Sequence, residues 1–219
     1  MRYRTHLLLI VTGVGLAGVL IYSVVPKIME IVGVKRVERL GGFVTFNRYG
    51  PDWLRNLLGT ADPFESVRTV WLMGPTITDA DLSTVASLKR TRMVMLNATN
   101  IKGPGLEQLR NLPRLRSIDL TKCSITDDGL QYLAVLQNIN SLTLAYTQIT
   151  DQGVAHLGRL SRLEDLNLEG TRVTDSCVQY LSNLPLKELN VTGTMITSNG
   201  IANLRARNPT VQVRLTNRQ

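Results

Sequence analysis

The sequence predicts an α/β solenoid in which a parallel, concave sheet is backed by convex helices, preceded by one transmembrane helix and a small N-terminal cap. Three observations support this: a 24-residue self-similarity through the last two thirds of the chain, a strand-like apolar core in each copy, and 19 uncharged residues in a row near the N-terminus. Of 219 residues, 43% are hydrophobic and 19% charged, which excludes wholesale disorder. Aromatics are only 5%, too few for a base-stacking platform.

Residues 1–6 are a short basic tail bearing Arg2 and Arg4. Leu7 to Val25 then runs without a charge, with Thr12, Tyr22 and Ser23 as its polar interruptions. As a helix it would span roughly 28 Å, close to the hydrocarbon thickness of about 30 Å. Pro26-Lys27 closes it, and no small-residue cleavage site lies near its end, so it reads as a retained signal anchor. Basic residues flank both ends (Arg2 and Arg4; Lys27, Lys35, Arg36 and Arg39), so the positive-inside count is nearly balanced. The shortness of the leading tail places the N-terminus in the cytoplasm and the rest of the chain on the exported side.

Within that run, Gly13-Val14-Gly15-Leu16-Ala17-Gly18 spells G-x-G-x-x-G, with Glu38 at a distance suited to a ribose contact. A dinucleotide site needs those glycines between a strand and an amphipathic helix, followed by further strand–helix units of a doubly wound sheet. Neither condition is met. Gly13 and Ala17 instead form a small-xxx-small pair suited to close helix packing.

Residues 26–66 form a juxtamembrane helix and N-terminal cap: an amphipathic helix around Ile28–Leu40, a strand or hairpin at Gly42–Arg48, and a helix at Pro51–Leu58 packing Trp53 and Leu57. A solenoid exposes its core at both ends and needs such caps. At the far end Arg205 to Gln219 serves as a polar cap, with 216–219 as a C-terminal tail.

The repeats occupy residues 67–215. Strand cores read VRTVWL from Val67, TRMVML from Thr91, LRSIDL from Leu115, INSLTL from Ile139 and LEDLNL from Leu163; one residue is then dropped before LKELNV from Leu186, and TVQVRL follows from Thr210. The fourth and sixth positions point into the solenoid; the third, fifth and seventh point outward. At the ninth, Thr99, Cys123, Thr147, Thr171 and Thr194 can satisfy backbone groups at the bend. A second phase follows, ITDADL from Ile77, ITDDGL from Ile125, ITDQGV from Ile149 and VTDSCV from Val173, with looser copies from Ile101 and Ile196. Its Thr-Asp pairs supply a helix N-cap and a first-turn acid. Leu130, Leu133 and Leu136 mark an inward helix face.

The combined pattern, L-x-x-L-x-L-x-x-T/C-x-I-T-D-x-G-L-x-x-L-x-x-L, resembles leucine-rich repeats, closest to short variants with Cys, Thr or Asn at the ninth position. The segments LGGFV at Leu40 and PDWLRNLLG at Pro51 also resemble the region ahead of the repeats in membrane-anchored bacterial proteins of this type. The resemblance implies a leucine-rich-repeat horseshoe that is non-enzymatic and binds other proteins. A likeness to the repeats of ubiquitin-ligase substrate receptors implies an adaptor as the alternative, although 26–66 is short for an F-box-like segment and an export signal conflicts with it. A structural envelope protein without a specific ligand is the third reading.

No catalytic, cofactor or metal constellation stands out. His6 and His156 have no partners at metal-ligand spacing, and neither a G-x-S-x-G elbow nor a Walker A loop occurs. Asp79, Asp127, Asp151 and Asp175 form a ladder interrupted at Gly103, for which helix capping suffices without calcium. Cys123 and Cys177, two repeats apart and at different phases, are too distant for a disulfide and read as buried small residues. Asn97-Ala98-Thr99 and Asn190-Val191-Thr192 match the glycosylation sequon but lie on packed strands. The chain is basic, net +8. Within the repeats Lys89, Arg90, Arg92, Arg110, Arg114, Arg116, Arg159 and Arg162 gather on one edge. Favourable helix C-termini explain that edge, and contact with anionic lipid is its functional alternative; nucleic acid is not an expected partner.

The surface most able to bind is the concave sheet, whose candidates are Trp71, Met73, Met93, Met95, Asp119, Thr143, Asp165, Asn167, Glu169, Glu188 and Asn190. Ala145 also belongs to this outward set. The face grades from apolar to neutral to acidic. Two readings of the Trp71, Met73, Met93 and Met95 patch stay open: cover by the N-terminal cap, or a hot spot for a protein or peptide whose basic segment is steered by Asp165, Glu169 and Glu188.

Overall fold

Each repeat turns the same corners because its apolar residues recur in the same phase. The computed structural model describes residues 25–48 and 65–215. The run from Leu7 and the helix expected at Pro51–Leu58 lie outside them, apart from Val25. Among the described residues no helix is long and apolar enough to cross a membrane.

Helix α1 (Val25–Arg39) leads into strand β1 (Phe43–Arg48), and β2 (Glu65–Trp71) opens the repeats. There follow β3 (Met93–Met95), β4 (Ser117–Asp119), β5 (Ser141–Thr143), β6 (Asp165–Asn167), β7 (Glu188–Asn190) and β8 (Gln212–Arg214). All eight lie in one sheet in chain order. β1 pairs antiparallel with β2, and each later pair is parallel. Val70, Val94, Ile118, Leu142, Leu166 and Leu189 are Cα partners from strand to strand. These residues, and the leucines or valine two places on, are buried as the alternation requires. Each such aliphatic side chain contributes about 1.5–3 kcal/mol by leaving water.

The convex side is shorter in its helices than the repeat spacing suggested. A 3₁₀ turn (Asp79–Asp81) runs into α2 (Leu82–Val85), and the next unit has only a 3₁₀ helix (Pro104–Asn111). Then come α3 (Asp127–Leu130) with a 3₁₀ extension (Gln131–Val135), α4 (Asp151–Leu157), a 3₁₀ turn (Asp175–Cys177) with α5 (Val178–Leu181), and α6 (Ser198–Arg207). A 3₁₀ helix rises about 2.0 Å per residue against 1.5 Å for an α-helix, so fewer residues bring the chain back to the next strand. Leu130, Leu133 and Leu136 are all buried, and their spacing of three is the period of a 3₁₀ helix.

Two local devices close each coil. At the ninth position the hydroxyls of Thr99, Thr147, Thr171 and Thr194 donate to the carbonyl three residues earlier at 2.6–2.8 Å. The Cys123 thiol reaches across to Leu96 O at 2.8 Å instead. One residue earlier, Gly74, Ala98, Lys122, Tyr146, Gly170 and Gly193 all have positive φ, between 56° and 99°. Glycine takes that conformation freely; Ala98, Lys122 and Tyr146 hold it against steric strain of about 1–2 kcal/mol each.

The recurring aspartates do more than cap their own helices. The Asp127 carboxylate accepts from the Thr150 N–H at 2.8 Å and its hydroxyl at 2.6 Å, one repeat downstream. Asp151 does the same with Thr174, and Asp175 with Thr197. Asp79 accepts from the N–H groups of Lys102, Gly103 and Gly105. The ladder is thus a row of inter-repeat staples. In two units the glycine three residues after the threonine makes room for it: a Cβ on Gly153 would lie 2.3 Å from Asp127 Oδ1, and one on Gly200 2.1 Å from Asp175 Oδ1. Among the described residues the first repeat has no upstream staple. There Asp81 occupies the glycine position and turns back to accept from both Thr78 N–H and Thr78 O–H, at 2.9 and 3.1 Å.

α1 caps the N-terminal end of the core. Val37 is buried, Glu30 accepts from Val67 N–H at 2.7 Å, and Gly33 lets the helix approach Ser87 and Leu88 so closely that a Cβ would sit 2.7 Å from each. The expected amphipathic character is incomplete, because Ile28, Met29, Ile31 and Val32 are exposed on the other side.

Candidate binding face

The parallel register stacks equivalent residues into rows about 4.8 Å apart across the concave surface. One row reads Thr69, Met93, Ser117, Ser141, Asp165, Glu188 and Gln212. The next reads Trp71, Met95, Asp119, Thr143, Asn167, Asn190 and Arg214. Beyond the strand ends the backbone ladder continues through Asn97, Thr121, Ala145, Glu169 and Thr192. The candidates named from sequence therefore share one surface.

At the N-terminal end the cap covers part of the apolar patch. Phe43 of β1 stacks on Trp71, with ring centroids 5.2 Å apart and planes 11° from parallel. Trp71 is half-buried, and its Nε1–H finds no acceptor among the described residues. Met73 and Met93 remain exposed.

In the middle and C-terminal parts, several polar candidates are tied to one another. Asp119 accepts from the Thr121 N–H at 2.8 Å, from the Thr121 hydroxyl at 2.5 Å and from Asn97 Nδ2 at 3.0 Å. Asn167 and Asn190 fold their carbonyl oxygens onto the N–H two residues later, shaping the bend. Glu169 accepts from the Tyr146 hydroxyl and, at 3.2 Å, from Asn190 Nδ2. Tyr146 was not among the sequence candidates. Its ring stands over Gly170, whose added Cβ would lie 2.6 Å away, and Lys122 Nζ lies 5.7 Å from the ring centroid. Positive φ, an exposed aromatic ring and an ionic neighbour meet at this one residue; the glycines in phase with it at 74, 170 and 193 were the available signal. Ala145, expected to face outward, is only 3% exposed.

Asp165 differs from the other acids. It is half-buried and stands in register with Glu188, and both line a shallow recess with Ser141, Thr143, Asn167, Asn190 and Arg214. Burial, then the charges of Glu188 and Glu164, push its carboxyl above the ordinary carboxylate range, with Lys187 opposing. Lys187 is engaged with Glu164 at 2.8 Å, and Arg214 reaches Glu188 only at 3.7 Å with both side chains well exposed. The basic residues of the edge expected from sequence, Lys89, Arg90, Arg92, Arg110, Arg114, Arg116, Arg159 and Arg162, are all exposed, near the ends of convex segments and the entries to the following strands.

Among the described residues no cluster of His, Cys, Asp or Glu could hold a metal ion. Cys123 and Cys177 are both buried as thiols, and desolvation followed by the charges of Asp151 and Asp175 pushes Cys177 up to about 12.

A parallel solenoid with a continuous, side-chain-bearing concave sheet is the architecture of a repeat protein that presents a surface rather than an enclosed site. Residues 112–134 match the family model for the leucine rich repeat. No curated protein matches the chain. Among solved structures it is similar to a leucine-rich-repeat protein of Leptospira interrogans, at 20% identity and a TM-score of 0.46 over 60% of this chain and 33% of that one. It is also similar to internalin C2 of Listeria monocytogenes, at 21% identity and a TM-score of 0.44 over 64% and 84% of the two chains. The TLR13–ssRNA13 complex shares the fold, with a TM-score of 0.52 at 16% identity over 78% of this chain and 27% of that one. The chain thus spans only 33% of the first of these proteins. It has the leucine-rich-repeat fold, and residues 112–134 carry a repeat of that family.

Proposed function

We propose that the chain is a non-enzymatic protein–protein interaction module, tethered to a membrane by Leu7–Val25 with its repeats on the exported side. In this reading the β5–β8 end of the concave face takes a basic segment of a protein partner. Leucine-rich-repeat folds generally serve protein–protein interaction, which supports the class. One observation carries the site: Asp165 and Glu188 are adjacent in register and Asp165 is already disfavoured as an anion. Like charges directly opposite in a sheet are destabilising, and an arginine or lysine from a partner would relieve them. Tyr146 and the Glu169–Asn190 pair offer an aromatic and a hydrogen-bonding flank. The solved TLR13 complex contains a single-stranded RNA. Here the carboxylates of Asp165, Glu169 and Glu188 would repel a phosphate backbone on this face.

The test is affinity capture from native membrane extract by the full chain, with Asp165→Asn/Glu188→Gln as the control after circular dichroism shows both folded. A basic partner held by the parent and lost by the control supports the proposal. Identical captures, or none, would favour a structural envelope role instead.

A further inference from the structure

We propose that the outward face of α1 is a bilayer seat, with Ile28, Met29, Ile31 and Val32 in the acyl boundary of an anionic phospholipid membrane and Lys35, Arg36 and Arg39 among its headgroups. This deepens the anchoring reading above and rests on it. The four apolar side chains are 52%, 60%, 47% and 40% exposed, so the solenoid leaves them unused. The opposite side of the helix is committed to the fold through Gly33, Val37 and the Glu30–Val67 bond. At 3.6 residues per turn, the four apolar residues and the three cations fall on one arc of about 160°.

The order along the helix points to a membrane rather than to a second protein. The uncharged run from Leu7 ends at Val25, the first residue of α1. The outward apolar residues occupy the next turns, and the cations follow about 10 Å further along at 1.5 Å per residue. Acyl boundary and headgroup layer succeed one another over a similar distance at the edge of a bilayer. The three exposed cations outnumber Glu38, the one exposed acid of this helix, which matches an anionic surface. Leu88, against which Gly33 packs, is followed directly by Lys89 and Arg90, so the basic edge of the repeats begins beside the helix.

The experiment uses the full chain reconstituted into vesicles of phosphatidylethanolamine with phosphatidylglycerol. An environment-sensitive fluorophore is placed at Met29→Cys, Val32→Cys or Arg39→Cys, with Gln148→Cys as an exposed control. The native thiols are buried and escape labelling in the folded protein. Expected is blue-shifted emission at 29 and 32, losing roughly half its intensity to lipids spin-labelled near the headgroup, a smaller effect at 39 and none at 148. Replacing phosphatidylglycerol by phosphatidylcholine should weaken the effect at 39 first. Alkaline carbonate extraction reads the anchor separately. A chain that resists carbonate while labels 29 and 32 behave like 148 overturns the seat and leaves the anchor standing. A chain released by carbonate overturns the anchor, and the seat derived from it.

Discussion

Replacing Asp151 by alanine tests whether the aspartate ladder holds neighbouring repeats together. Its carboxylate accepts two bonds from Thr174, from the N–H at 2.8 Å and the hydroxyl at 2.6 Å. A hydrogen bond to a charged group contributes about 1.5–3 kcal/mol. Thr174 is half-buried, so water can replace part of what is lost, and the sum of two bonds is an upper bound. The expected loss is therefore about 2–3 kcal/mol, which at a urea slope of about 2 kcal/mol/M lowers the midpoint by about 1–1.5 M. Asp128→Ala is the control, because Asp128 is a neighbouring exposed acid in the first turn of α3 and no staple. Thr174→Val keeps the N–H but removes the hydroxyl, which also accepts from the Ser176 N–H at 3.2 Å, so it should cost at least half as much. The double variant should cost less than the sum of the two, since they share a bond. The measurement is urea unfolding of the detergent-solubilised chain followed by circular dichroism. A midpoint for Asp151→Ala no lower than that of Asp128→Ala would refute the staple and return the aspartates to simple helix capping.

Three further outcomes follow from the structure. Thr91 is fully buried at a core position with its hydroxyl unpartnered, so Thr91→Val should raise unfolding stability by about 1 kcal/mol in the same assay. Asp165→Asn should stabilise the protein at neutral pH: the folded state raises this carboxyl's pKa, so its charge is a penalty that sets in as pH rises through the ordinary carboxylate range and persists above the folded value. The gain of the variant should vanish below that range, and an equal gain at pH 2 and pH 7 would contradict the assigned cause. Both thiols should resist an aqueous disulfide reagent until the chain unfolds, Cys177 most of all with its pKa near 12; rapid labelling of native protein would contradict their burial.

The inward half of the fold was readable because its signal is redundant. Val70, Leu72 and their counterparts repeat in phase through every strand, and only a parallel stack buries all of them together. The staples were half-readable. T-D-x-G stood out, but nothing local tells whether an aspartate bonds its own turn or the next one. That distinction depends on the coil-to-coil distance, which appears only once Gly153 and Gly200 are seen to clear space for the carboxylate of the preceding repeat. The 3₁₀ geometry was present in the spacing of Leu130, Leu133 and Leu136, three apart rather than alternately three and four. Tyr146 escaped because an aromatic at a turn position has no period of its own; its place becomes visible only by alignment with Gly74, Gly170 and Gly193.

The concave face was readable in membership but not in availability, and the reason is physical. Inward residues answer to packing, where a misplaced side chain costs several kcal/mol, whereas outward residues answer mainly to neighbours one strand away, where each pair is worth about 0.2–1 kcal/mol. Such small terms leave the rows free to vary, so pattern alone cannot separate Asp119, hydrogen-bonded by Thr121 and Asn97, from Asp165, crowded by like charge. The same inequality explains how the fold tolerates that crowding. A solenoid whose core and staples are supplied on the inner and convex sides can keep an unfavourable pair such as Asp165 and Glu188 on the concave side without losing its shape. Asp165 and Glu188 are therefore an acidic pair on this surface that folding disfavours and packing does not require.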